Sequence, residues 1–143
     1  MQASKILIVD DDPCSRRVLQ ATLSRLGYAT RCAEDGREAL RILTAEPFDL
    51  IITDILPPEM DGIGLIIATR ELADIPKVIA VSTGSAMSGM DVLQAAELWG
   101  ADVAMAKPLS MSSVVRTVAE LLDVGQARRT RSLRDVLHFG RAA

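Results

Sequence analysis

Short apolar runs that stop abruptly at polar residues recur along this chain, and stretches with helical spacing separate them. Lys5-Ile6-Leu7-Ile8-Val9 ends at Asp10, Asp11 and Asp12. Leu50-Ile51-Ile52-Thr53 ends at Asp54, and Pro57-Pro58 forbids both strand and helix just beyond it. Lys77-Val78-Ile79-Ala80-Val81 ends at Ser82-Thr83, and Asp102-Val103-Ala104-Met105-Ala106 ends at Lys107-Pro108. Continuous runs of this kind suit strands buried on both faces. A shorter strand is expected over Tyr28 to Cys32.

The intervening segments have the period of amphipathic helices. Asp12 is placed to cap a helix with Pro13 in its first turn, apolar Val18, Leu19, Leu23 and Leu26, and Gly27 as its stop. Asp35-Gly36 opens a second helix, which Glu46-Pro47 ends. A third is expected from about Gly62 to Leu72, a fourth from about Met87 to Trp99 with Gly100 as its stop, and a last one after Ser110. Strict alternation of strand and helix predicts an α/β fold with right-handed crossovers, a doubly wound parallel sheet and five flanking helices.

The chain has 143 residues, enough for one domain with a substantial core. Aromatic residues are only 3% of it, so aliphatic side chains and methionine must fill that core. Met87, Met90, Met105 and Met111 are read as core filling rather than as a partner surface, and Trp99 as a partly buried anchor. No apolar run is long enough to span a membrane, and the N-terminus lacks a signal-peptide layout, so a cytoplasmic protein is expected. Cys14 and Cys32 form neither a disulfide framework nor a metal motif. The net charge of −3 is unevenly spread: residues 124–143 carry five arginines against Asp135, which is +4, and residues 1–123 therefore carry −7.

Parallel strands bring all their carboxyl ends to one edge, the edge where open α/β sheets bind ligands. Asp10, Asp11, Asp54, Ser82, Thr83 and Lys107 share that edge. Each alone reads as an ordinary turn or strand-end residue. Together they put three carboxylates, the Ser82-Thr83 hydroxyls and an ammonium in one place. Clustered carboxylates resist joint ionisation unless a cation compensates. A hard divalent ion such as Mg²⁺ suits oxygen ligands. With a lysine and a hydroxyl beside it, such a cluster suits an aspartyl phosphate.

The set Val9-Asp10-Asp11, Asp54 with Pro58-Glu59-Met60-Asp61-Gly62 behind it, Ser82-Thr83 and Lys107-Pro108 resembles the receiver domain of two-component response regulators. The resemblance covers roughly residues 4–123. It implies a flavodoxin-like strand order of 2-1-3-4-5. It implies that Asp54 takes a phosphoryl group from a sensor histidine kinase or a histidine phosphotransfer protein. Asp10, Asp11, Asp54 and the backbone carbonyl of Leu56 would hold Mg²⁺. Ser82, Thr83 and Lys107 would face the phosphoryl group, while Pro58, Gly62 and Pro108 would shape the loops. Signals would pass to a downstream protein through the helix expected over 87–99, the fifth strand and the final helix.

Three positions depart from the family pattern. Pro57 makes a double proline, Thr83 replaces a small residue, and Ala104 stands where Tyr or Phe is usual. Alanine cannot rotate inward as that aromatic does, so a readout centred on the 87–99 helix is expected. A domain at 1–123 with a basic extension at 124–143 points to a stand-alone receiver, since the extension is too short for a helix-turn-helix module. Leu133, Val136, Leu137 and Phe139 give that extension a loose amphipathic pattern, with nucleic-acid binding disfavoured. The alternatives are a pseudo-receiver that works without phosphate and a phosphotransferase. Leu56 argues against the latter, because haloacid dehalogenase-type enzymes have an acid–base Asp two residues past the nucleophile. Nucleotide or flavin binding is disfavoured, as no glycine-rich loop follows the first strand.

Overall fold

The computed structural model describes residues 3–55, 61–82, 97 and 100–123. In chain order these form β1 (Lys5–Val9), α1 (Pro13–Arg25), β2 (Ala29–Ala33), α2 (Gly36–Ala45), β3 (Leu50–Asp54), α3 (Asp61–Thr69), β4 (Lys77–Ser82), β5 (Val103–Ala106) and a last helix, α4, over 111–123. The five strands make one parallel sheet in the order β2-β1-β3-β4-β5. This is the flavodoxin-like order. Among the described residues there are four helices; the one expected over 87–99 lies outside them, apart from Glu97.

The apolar runs explain the layering. Successive strand side chains point to opposite faces. Ile6 and Ile8 of β1, with Leu50 and Ile52 of β3, pack under Leu19 and Leu23 of α1 and under Val114, Val118 and Leu122 of α4. Leu7, Val9 and Ile51 face the other way, against Ala39, Ile42 and Leu43 of α2 and Leu65 of α3. Both faces of the central strands are thus dry, and the strands can be aliphatic throughout. Met105 and Met111 pack against the first of these clusters, as core filling requires.

The caps behave as the sequence predicts. The Asp12 carboxylate accepts from the Cys14 N–H at 3.1 Å, and Pro13 opens α1. The Asp35 carboxylate accepts from the Glu38 N–H at 2.8 Å. Gly27 takes a φ of 96° just past α1. Ser110 caps α4, its hydroxyl accepting from the Ser113 N–H at 3.3 Å. Gly100 takes a φ of 125°, and a Cβ there would lie 2.6 Å from the Arg70 guanidinium.

Some boundaries shift. Helix α3 ends at Thr69, not Leu72, because Arg70, Glu71 and Leu72 each donate to the carbonyl three residues back, tightening the chain out of the α-helix. Ser82 belongs to β4 and pairs with Ala106, and Asp54 belongs to β3 and pairs with Val81. The sheet therefore carries these side chains directly, at the strand ends where the sequence places them.

Leu23 has no exposed surface. Leu23→Ala is expected to cost about 2–5 kcal/mol, from lost burial plus the remaining cavity. Urea unfolding of both proteins would show a lower midpoint with an unchanged slope.

Candidate functional site

Strands β1 and β3 are neighbours whose onward connections leave on opposite faces of the sheet, to α1 and to α3. A crevice opens between their carboxyl ends. Asp10 follows β1 directly, and Asp54 is the last residue of β3. Asp10 is 4% exposed, and the Asp54 side chain is 5% exposed. Asp11, one residue on, is exposed. Each of the three can turn one oxygen toward a common point, the three oxygens lying within 4.8 Å of one another.

Lys107 reaches the same point from the end of β5. Its ammonium donates to Asp54 Oδ2 at 3.2 Å and to Asp10 Oδ2 at 3.3 Å. Its backbone N–H donates to the Ser82 carbonyl at 2.8 Å, tying the ends of β4 and β5 together. Ser82 is fully buried, and the Lys107–Pro108 peptide is cis.

The electrostatics are lopsided. Burial raises the Asp54 carboxyl above the ordinary carboxylate range; Lys107 pulls it back, while Asp10 and Asp11 push it up again. Burial works to lower the Lys107 ammonium, but Asp54 and Asp10 outweigh it and hold the ammonium above its usual value. Among the described residues Lys107 is the one cation paired with these carboxylates, and it reaches two of the three. Asp54 Oδ1 is buried and has no hydrogen-bond partner among the described residues. Such an oxygen is costly unless something positive meets it. Hard oxygen donors, excess negative charge and an orphaned acceptor together fit a divalent cation of the Mg²⁺ type.

Two supports were not singled out from the sequence for this role. The Asp12 N–H donates to Asp10 Oδ1 at 2.9 Å, so the residue that caps α1 also steers the Asp10 carboxylate. The Arg16 guanidinium donates to the Asp10 carbonyl at 2.8 Å, pinning the β1–α1 turn from within α1. The only hint of the latter is an arginine one helical turn inside α1. Leu56, Pro58 and Thr83 lie outside the described residues, and Gly62 sits in the first turn of α3. Ala104 is half-buried on β5, paired with Ala80. Cys14 is exposed and Cys32 half-buried, and burial pushes the Cys32 thiol up.

The response regulator receiver domain model matches residues 6–119. The chain belongs to this family. A probable transcriptional regulator ycf27 of Cyanophora paradoxa is 36% identical over 118 residues, which is 82% of this chain and 48% of that protein. The sensor histidine kinase RcsC of Salmonella typhi is 33% identical over 128 residues, 89% of this chain and 13% of that protein. The chain thus spans about half the length of the curated regulators it matches. Among solved structures, a CheY-like response regulator receiver domain protein from Methanospirillum hungatei superposes with a TM-score of 0.79 at 27% identity, covering 89% of this chain and 99% of that one. Receiver domains typically bind Mg²⁺ in an acidic pocket, and Asp10, Asp11 and Asp54 form an acidic cluster that could hold a metal ion. No helix among the described residues is long and apolar enough to cross a membrane.

Two predictions follow from this geometry. Lys107→Met leaves two nearly buried carboxylates without their cation, so without metal it is expected to lose about 3 kcal/mol. Mg²⁺ should then raise the melting temperature of the variant more than that of the wild type, which thermal unfolding with and without the ion would show. Arg16→Ala should weaken Mg²⁺ binding about tenfold by releasing the turn that holds Asp10; titration calorimetry reads this directly.

Proposed function

We propose that this receiver is a phosphorylation-switched signalling module whose acceptor is Asp54. The observation that carries this reading is the state of the Asp54 carboxylate, with one oxygen on Lys107 and the other buried without a partner. An acceptor needs that arrangement. It must be held in place, kept from ordinary hydrogen bonding and surrounded by charge that suits an incoming phosphoryl group.

In this reading an Asp54 oxygen forms a bond to the phosphorus of a phosphohistidine on a sensor kinase or phosphotransfer protein. The phosphorus–nitrogen bond breaks, and its electron pair returns to the imidazole. Asp10, Asp11, Asp54 and the Leu56 carbonyl would hold Mg²⁺, which neutralises phosphoryl charge when bound. Lys107 stays with the phosphoryl oxygens as Asp54 changes from a charged partner to an acyl phosphate. Ser82 donates its hydroxyl to a phosphoryl oxygen, with Thr83 beside it. The domain catalyses only its own phosphorylation and dephosphorylation.

The output is a change in protein–protein contacts. Residues 1–123 form the receiver unit, and β5 and α4 supply the described part of the signalling face, with the 87–99 segment as the remainder. With Ala104 in place of an aromatic, movement at Ser82 is passed on through that segment. The relatives include a probable transcriptional regulator and a sensor histidine kinase, which fits a receiver used in more than one setting.

Intact mass after incubation with a small-molecule phosphodonor tests the proposal. One phosphoryl adduct is expected in the wild type with Mg²⁺, and none without the ion or in Asp54→Asn. An unmodified wild type would sink the reading in favour of a pseudo-receiver, provided that Thr83→Ala is also unmodified.

A further inference from the structure

The edge of the sheet opposite the carboxylates also carries a recess. A cavity of about 370 Å³ opens between the end of α2 and the turn after α3. Its floor is apolar, with Leu43 and Phe48 almost fully buried and Leu72 half-buried. Its rim is acidic: Glu46, Glu71 and Asp74. Glu46 already pairs with Lys5 at 2.7 Å and with Arg31. Glu71 and Asp74 are exposed and meet no cation among the described residues.

We propose that this recess is the docking site for residues 124–143 of the same chain. The charges are complementary. The body carries −7, and the segment concentrates +4 in twenty residues. The apolar content also matches, because Leu133, Val136, Leu137 and Phe139 can cover the floor while Arg131 and Arg134, at the end of the crossing, meet Glu71 and Asp74 on the rim. The connection is short enough. The described part of helix α4 runs back from the end of β5 to residue 123, toward the edge of the sheet where the recess lies. The segment has to pass from the α1/α4 face to the α2/α3 face, roughly 20 Å for two helix layers. Eight residues, 124–131, can span up to about 26 Å before Leu133 is reached. Surface ion pairs alone are weak. Several of them around a desolvated apolar floor hold a segment better than either could separately.

The occupant is a strap from the chain itself, and its docking does not depend on the chemistry at Asp54. Limited trypsin digestion of the full chain tests it, because the arginines at 128, 129, 131 and 134 report their own accessibility. Cleavage there is expected to be about tenfold slower at low salt than in a free peptide of residues 124–143, since proteolysis tracks the open population. In a Glu71→Gln/Asp74→Asn variant, checked as folded by circular dichroism, cleavage should approach the rate of the peptide. Equal rates in wild type and peptide overturn the proposal, and so does protection that survives in the variant. Protection that grows with protein concentration overturns it in favour of a second copy as the occupant.

Discussion

Everything at the carboxyl edge depends on one ammonium held between two nearly buried carboxylates. Lys107 bridges Asp10 and Asp54, residues from strands that are adjacent in space but far apart in sequence. Removing two carboxylates and an ammonium from water is costly, and the attraction among them offsets much of that cost only while the geometry holds. The geometry is held from below. β1, β3 and β4 are buried on both faces, so their ends cannot drift without opening the core. Site and fold are in this sense one structure: the aliphatic runs fix the strands, and the strands fix the charges.

The same interaction explains why the site is unfinished on its own. Lys107 meets two of the three carboxylates, and Asp54 Oδ1 is left buried without a hydrogen-bond partner among the described residues. A site with all its oxygens satisfied would be more stable but chemically inert. The neighbours of Asp10 reinforce this view. Asp12 and Arg16 use their bonds to fix the carboxylate and the turn, and neither of these bonds goes to Asp54.

Much of this was legible in the sequence, for a physical reason. Strands buried on both faces admit few polar residues, so runs such as Lys5–Val9 and Lys77–Ser82 stand out, and the polar residue that ends each one has a defined place. Asp12, Asp35 and Ser110 were equally visible, because a cap is a local interaction between residues close in sequence. Less visible were features set by tertiary contact. Arg16 reaches a carbonyl six residues back, and nothing in its spacing separates it from a solvated arginine. The end of α3 at Thr69 depends on how the chain turns toward β4, which helical periodicity does not encode. The recess beside Phe48 joins residues from two helix ends, and no contiguous motif announces it.

Ser82 ends β4, opposite Ala106, and its carbonyl accepts from Lys107 at the last position where the two strands are joined. The backbone that carries the hydroxyl is therefore fastened on its β5 side, and the Oγ reorients by rotation about its own Cα–Cβ bond within a buried position. A wider displacement of the whole residue would have to loosen the final rung of the ladder between β4 and β5, so that seam sets how far Ser82 can travel.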